Sequence, residues 1–458
     1  MTEQDYLKAT GSRILRELND LKRTPASAAK DLKMTLDEVH DIIRGVAPEK
    51  EVLAFIRRLE EVYPIDSAQL FLVRDDTNDG IIFVDSEASK RTARVYNRLN
   101  RAGSRTPYYE YRDTAMSKLA PFRPEWISQI RVVSDSDPYN PDVVLNNGHF
   151  MHQITLFVGP VNFYYEDLEG KVHCREMNTG DCNYITPFIK HSFTNRSSSE
   201  FAYIIACTLG GECARSQREL YALGPDAVDK YTLDCYTPAS STELIKQYMN
   251  NDFHTVQSFN SLLRSNGFKI DMGDVFDTNR RLSLDEYSQI AETLGVDVGD
   301  IMMRQYQPGE ECIVEYMQDK TPHPFPDAKN PAYLICSLVR TPKLPLLRSS
   351  IITVLNEAAS KPCYMERSLH TYLINFGNVK IKLKWQYNDT TFERILEPDA
   401  SVYLKPFVRF ALENESGEQE GKVLVVGASS SVNTQAQKEL SSLGSPERVI
   451  NELDLWYD

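Results

Sequence analysis

The chain alternates between two hydrophobic rhythms. Over residues 11–45 the apolar positions Ile14, Leu15, Leu18 and Leu21 fall at helical spacing, and a second short helix is predicted from Ala26 to Leu32. Thr35 then stands as an N-cap ahead of Val39, Ile42 and Ile43, which Gly45 closes. A further helix is predicted over 50–63, stopped by Pro64. Past residue 101 the rhythm shortens to strand-like runs such as Ile154-Thr155-Leu156-Phe157-Val158-Gly159. Alternating apolar residues and turn signals at Asp167-Leu168-Glu169-Gly170 and Asn388-Asp389 predict antiparallel strands.

Both rhythms recur. Leu53, Leu59, Ile65, Asp66 and Leu70 reappear without a gap as Leu284, Ile290, Val296, Asp297 and Ile301, at a constant offset of 231, so a second helical unit is predicted over roughly 245–305. The run from His152 to Tyr165 lies over His370 to Leu383, pairing His152 with His370, Gly159 with Gly377 and Val161 with Val379. Further on, Tyr184, Pro187 and Asn195 match Tyr403, Pro406 and Asn414. The expected order is a helical domain over 1–100, a β barrel over 101–215, a second helical domain over 216–310 and a second barrel over 311–458.

Composition narrows the class. At 458 residues, 41% hydrophobic and 25% charged, the chain is expected to form two to four compact units. It has no apolar run long enough to span a bilayer, and its start, Met1-Thr2-Glu3-Gln4-Asp5, does not read as a signal peptide, which together predict a cytoplasmic protein without membrane partners. The eight cysteines form no C-x-x-C pair and are expected to be buried free thiols. A net charge of -14 argues against nucleic acid as the main partner.

The candidate chemistry sits in two short segments of the first β unit, His149-Phe150-Met151-His152-Gln153 and Pro187-Phe188-Ile189-Lys190-His191. Each lies at the rim of a predicted strand. His149 and Gln153, four apart, can be aimed inward together by a loop or bulge, and His191 follows a Pro. In the second unit the equivalent positions are Arg367, Thr371 and Phe410, and neither a guanidinium nor a phenyl ring ligates a cation. The first unit alone is expected to hold a metal. His152 points to the opposite face in a regular strand and reads as packing. His173, Glu166 and Glu176 compete with Gln153 for the third ligand position. Two imidazoles and one oxygen donor with open positions is the arrangement of non-haem Fe(II) oxygenases, whereas the thiolate set of a structural zinc site is missing. A neutral amide in place of a carboxylate leaves the metal one unit more positive and favours an anionic, chelating substrate.

A His, a residue four positions on and a later His after a Pro resemble the two motifs of the cupin barrel. The run from Lys22 to Gly45 resembles a repressor-like helix-turn-helix domain. Their combination, duplicated along nearly the whole chain, resembles the family of cupin non-haem iron oxygenases that process 2-hydroxyethylphosphonate and hydroxypropylphosphonate. The resemblance implies an α+β bicupin, a tandem repeat of a helix-turn-helix-like all-α domain and a double-stranded β-helix barrel, with Fe(II) held by His149, Gln153 and His191. It also implies 2-hydroxyethylphosphonate and O2 as partners, with no 2-oxoglutarate or flavin, and a homo-oligomer. One branch of the family takes a Glu from just before the last His. Here that stretch is Ile185-Thr186-Pro187, and Gln153 points instead to the branch that cleaves the carbon-carbon bond to give methylphosphonate. The alternative product is hydroxymethylphosphonate with formate. Phosphonate contacts implied by the resemblance are Asn146, Arg101, Tyr109 and Lys22, the last two also as catalytic groups. Arg105, Tyr108, Tyr111 and Arg112 crowd the same segment as Arg101 and Tyr109, and Lys30 rivals Lys22.

Two other classes remain consistent with the layout. A helix-turn-helix beside a cupin also describes a ligand-sensing transcription regulator. Against it, the candidate recognition segment Leu36-Asp37-Glu38-Val39-His40-Asp41 carries acids where DNA readers carry Arg, Asn or Gln. A non-catalytic storage bicupin would have no need to keep His149, Gln153 and His191 in one copy.

Overall fold

The computed structural model describes residues 2–237, 239–355, 362–417, 419–450 and 454–456. Four α-helices open the chain, Glu3–Asp20, Pro25–Asp31, Leu36–Ile43 and Glu49–Val62. Thr35 caps the third through a reciprocal box with Glu38, satisfying two otherwise orphaned backbone donors. Gly11 is required where the first helix crosses the third, because a Cβ there would meet the Ile43 carbonyl oxygen at 2.1 Å. Ile14, Leu18, Val39, Ile42, Phe55 and Leu59 close the core of this unit. A second set of helices, Ala239–Asn251, Val256–Ser265, Met272–Thr278, Leu284–Leu294 and Val298–Ile301, builds a comparable core around Ile245, Phe259, Val275 and Ile290. Between the first barrel and that set run two helices with exposed or half-exposed side chains, Glu212–Leu223 and Pro225–Tyr231.

The strands form two pairs of sheets with one plan. In the first pair a seven-stranded sheet runs Cys312–Glu315, Cys182–Ile185, His152–Val158, Tyr203–Leu209, Phe122–Gln129, Arg105–Asp113, Arg94–Leu99, and faces a three-stranded sheet of Val172–Met177, Val161–Glu166 and His191–Asn195. In the second the order is Ile81–Val84, Ser401–Leu404, His370–Asn375, Gly421–Ala428, Arg348–Val354, Tyr333–Ser337, His323–Phe325, against Thr390–Leu396, Ile381–Tyr387 and Arg409–Asn414. All of these pairs of neighbouring strands are antiparallel.

Each large sheet is completed by a strand from outside its own sequence block. Ile81–Val84, from the block expected to be wholly helical, pairs with Ser401–Leu404, and Cys312–Glu315, from the block of the second barrel, pairs with Cys182–Ile185. Boundaries at 100 and 310 therefore cut through the sheets. An open edge is a row of unpaired amides, and the exchange covers one edge of each sheet.

The central strands of the large sheets are also buried on both faces, which departs from the expected alternation. Along His152–Val158, Ile154 and Leu156 enter a core shared between the two sheet pairs, with Trp126, Tyr184, Ile205, Tyr372, Tyr403 and Leu424. Phe157 turns inward onto Tyr109, Phe163, Phe193 and Ile204. A strand covered on both sides reads as a continuous apolar run. The cysteines are free, as expected, but only Cys182, Cys207 and Cys336 are buried; Cys213 is exposed and the other four are intermediate.

Candidate metal centre

The two motif segments are bound to one another by main-chain and side-chain bonds at the mouth of the first barrel. Phe188 N donates to the His149 carbonyl at 2.9 Å, and Asn146 N donates to the His191 carbonyl at 3.0 Å. Gly148 lets these loops touch: its φ is +72°, and a Cβ would lie 2.4 Å from the Phe188 carbonyl oxygen. The consequence is that the rings of His149 and His191 face each other with centroids 5.2 Å apart and planes at 83°.

Each imidazole is oriented by a backbone carbonyl. His149 Nδ1 lies 3.1 Å from the Met151 carbonyl oxygen, and His191 Nδ1 lies 2.9 Å from that of Ile189. A carbonyl only accepts, so Nδ1 carries the proton on both rings and both Nε2 atoms present a lone pair. His191 is buried, and burial pushes its pKa down to about 4, which keeps the ring neutral and able to ligate.

Gln153 supplies the third donor. Its Nε2 donates to Thr155 Oγ1 at 2.8 Å, which turns Oε1 toward His149 Nε2, 3.2 Å away. Two lone pairs are thus aimed at one another, an arrangement that a cation between or beside them relieves. Asn146 completes the set. Its Oδ1 accepts from Gly148 N at 3.0 Å and His191 N at 2.9 Å, so its Nδ2 is free to face His191 Nε2 at 3.0 Å. Among the described residues no group of three His, Cys, Asp or Glu side chains could hold a metal ion, so a three-ligand centre here needs the amide oxygen. The rival third ligands are engaged elsewhere: His173 with Asp167 at 2.7 Å and Glu166 with Lys190 at 2.7 Å, while Glu176 is exposed. His152 bonds Tyr184 Oη through Nδ1 at 2.8 Å on the sheet's other face, in keeping with packing.

A β-bulge supplies the tyrosines. Tyr96 pairs with Tyr109 but Asn97 pairs with Pro107, leaving Tyr108 as the extra residue, and both Tyr108 and Tyr109 are buried within the barrel core. Both hydroxyls reach Ser192 Oγ, at 2.9 and 3.1 Å, beside His191. Burial raises the pKa of each, so both stay protonated.

Arg101 is not brought here. It is exposed and binds Asp142 through Nε at 2.6 Å. Arg98, absent from the sequence reading, stands closer: its guanidinium lies 5.1 Å from both the Tyr108 and Tyr109 ring centres, bonds the Val144 carbonyl, and its charge acts on His191. The signal for it was its place on the strand in line with Tyr96, whose partner Tyr109 is buried. Arg105 is exposed and bonds the Asn97 carbonyl, and Arg112 lies over Trp126. Glu125, also unanticipated, lies across the sheet from Ala206, which pairs with Thr155, on the inward row, and burial raises its pKa. Lys22 and Lys30 are both exposed, and Lys22 bonds the Asn19 and Asp20 carbonyls at 3.2 and 3.3 Å with Trp456 beneath it. Within one chain Lys22 is held by its own helical unit.

Two imidazole nitrogens and one amide oxygen at the mouth of an antiparallel sheet pair define a candidate mononuclear metal centre. No protein-family model matches the chain. Methylphosphonate synthase of Nitrosopumilus maritimus is 36% identical over 459 residues, covering 99% of this chain and 96% of that protein. A structure of the 2-hydroxyethylphosphonate dioxygenase of Streptomyces albus, with 2-hydroxyethylphosphonate and Fe(II) bound, superposes with a TM-score of 0.90 at 32% identity over 100% of both chains. A variant 2-hydroxyethylphosphonate dioxygenase shares the fold at a TM-score of 0.75 and 19% identity, over 96% of this chain and 99% of that one. The chain belongs to the family of methylphosphonate synthase and 2-hydroxyethylphosphonate dioxygenase.

Proposed function

We propose that the chain is a cytoplasmic bicupin oxygenase that uses Fe(II) and O2 to cleave the carbon-carbon bond of 2-hydroxyethylphosphonate and release methylphosphonate. The observation that carries this reading is the opposition of two lone pairs, His149 Nε2 against Gln153 Oε1 at 3.2 Å, each held in place by an outer partner. His149, Gln153 and His191 would hold the iron, which when bound supplies electron transfer to O2 and an electrophilic seat for substrate oxygens. The amide leaves that seat one unit more positive than a carboxylate would, which selects a substrate that brings its own negative charge.

The surrounding side chains receive the phosphonate. Asn146 Nδ2 is a fixed donor toward the same space, because its Oδ1 is already committed to two backbone amides. The protonated Tyr108 and Tyr109 hydroxyls, tied to Ser192, offer further hydrogen bonds, and Arg98 supplies a permanent positive charge behind them. Phe150 and Phe188, stacked with centroids 5.6 Å apart, shield the rim from water. Glu125 inside the barrel is a candidate proton carrier beside His149. Lys22 belongs to a helical unit that would reach a barrel in a second copy, and we read the protein as a homo-oligomer on that ground. The helices within the blocks 1–100 and 216–310 then serve assembly, and each set precedes an exchanged strand. The acids Asp37, Glu38 and Asp41 are exposed on the third helix and oppose a DNA-reading role.

A second reading, release of hydroxymethylphosphonate and formate, is favoured by the TM-score of 0.90 to the Streptomyces albus dioxygenase. Phosphorus NMR after anaerobic loading with Fe(II) and 2-hydroxyethylphosphonate, followed by O2, separates the two. Methylphosphonate is expected, hydroxymethylphosphonate supports the second reading, and unreacted substrate overturns both.

A further inference from the structure

We propose that the second barrel is a binding site for a tetrahedral oxyanion of the phosphate or phosphonate class, held between Arg348 and Arg367. The backbone at this mouth repeats that of the first. Phe407 N donates to the Arg367 carbonyl at 2.8 Å just as Phe188 N donates to that of His149 at 2.9 Å, so Arg367 occupies the ligand's backbone position. Thr371, which stands for Gln153, pairs across the sheet with Gly427, and Gly427 pairs with Arg348. Directly paired residues project to one face, and this row faces inward with Leu373, Val425 and Ile352. Arg348 and Arg367 therefore converge on the barrel mouth where the first barrel gathers its imidazoles.

The site is built to admit a guanidinium. In the first barrel Thr208 holds the position of Gly427, beside Gln153. At Gly427 a Cβ would lie 2.9 Å from Arg367 Cζ and Nη2 and 3.1 Å from Nη1, so the missing side chain is the space the guanidinium fills. The charge is left unbalanced. Arg367 Nη2 donates to the Arg348 carbonyl at 3.0 Å and Arg348 Nη1 to the Leu347 carbonyl at 3.1 Å, and neither arginine joins an ion pair among the described residues. Burial and the charge of Arg348 push Arg367 down to about 10, and no carboxylate among the described residues acts against them. Two planar forks with most of their five donors each still open match the several oxygens and double charge of a phosphate or phosphonate.

The proposal is tested by calorimetric titration of inorganic phosphate and, separately, methylphosphonate into the anaerobic Fe(II)-loaded protein and an Arg348→Met/Arg367→Met variant. The wild type is expected to show one binding event that the variant lacks, with 2-hydroxyethylphosphonate turnover retained as the check on folding. Gly427→Ala, which crowds Arg367 without removing charge, should weaken the same event by roughly ten- to a hundred-fold, the loss of one charge-assisted contact. Preference for phosphate identifies a general cellular anion and preference for methylphosphonate a ligand related to the enzyme's own chemistry; both support the site. Identical titrations for wild type and double variant, or a tungstate-soaked crystal with no anomalous peak between the two arginines, would overturn it.

Discussion

The two barrels of this chain share strand order, the exchange of an edge strand, and even a buried pair: His152 stacks on Tyr184 at 5.9 Å and 17°, and His370 on Tyr403 at 6.0 Å and 18°. They differ at the mouth. His149, Gln153 and His191 in one are Arg367, Thr371 and Phe410 in the other, on matching backbone. Conserved scaffold around replaced ligands teaches that the fold fixes where a side chain will point and leaves open what charge it brings. One mouth gathers lone pairs that call for a cation; the other gathers guanidinium charge that calls for an anion.

The largest test of that contrast removes a ligand. His149→Ala or His191→Ala is expected to abolish stoichiometric Fe(II), read by elemental analysis, and turnover with it, because each deletes one of two nitrogen donors. Phe410→Ala, at the equivalent position of the second barrel, should leave iron content unchanged in folded protein. Iron retained by both histidine variants, or lost with Phe410→Ala, would move the metal elsewhere. A smaller effect is expected one shell out. Thr155→Val removes the partner that turns the Gln153 amide, and Fe(II) affinity should fall about ten- to a hundred-fold.

Much of this candidate site could be proposed from the sequence because its candidate ligands lie within two short segments, where spacing alone brings them near a strand rim. The repeat helped equally, since the matched positions Arg367, Thr371 and Phe410 exclude the second copy. The candidate anion-binding residues were harder to read. Choosing Arg98 over Arg101 requires knowing where strand Arg94–Leu99 ends: Arg98 lies on it in line with Tyr96, while Arg101 falls in the turn beyond, and composition does not mark that boundary. Glu125 was invisible for another reason: strand Phe122–Gln129 is buried on both faces, so parity could not be assigned from apolar pattern. The exchanged strands Ile81–Val84 and Cys312–Glu315 were hidden because pairing of edges is a long-range choice that short apolar runs do not specify.

Arg98 and Arg101 give the next test. Arg98→Met should raise the KM for 2-hydroxyethylphosphonate by roughly ten- to a hundred-fold with normal iron loading, the cost of one charge-assisted contact. Arg101→Met breaks a surface ion pair, worth about 1 kcal/mol of stability or less, and should leave kinetics near wild type. The reverse result would restore Arg101 to the site. Lys22→Ala extends the comparison between chains: since Lys22 rests on its own helix and Trp456, a raised KM in that variant at full iron content requires a neighbouring copy.

The smallest expected effect concerns the feature both barrels keep. Burial pushes His152 and His370 down to about 4, and each bonds a tyrosine hydroxyl through Nδ1, at 2.8 and 2.7 Å. In the unfolded chain both return to about 6.5 and bind protons more readily than in the fold. For a depressed histidine the unfolded state gains protons first as pH falls, so stability is full above about 6.5 and is lost progressively down to about 4. His370→Phe keeps the ring stacked on Tyr403 and removes one of these titrations. The variant should therefore lose less of its thermal midpoint between pH 7 and pH 5 than wild type, even if its midpoint at pH 7 is a few degrees lower from the unsatisfied Tyr403 hydroxyl. Because His370 stands in the second sheet pair and the candidate ligands stand in the first, its iron content should not change over that range. A variant whose midpoint falls with pH as steeply as wild type would show that the buried histidines do not govern acid stability and that the carboxylates do.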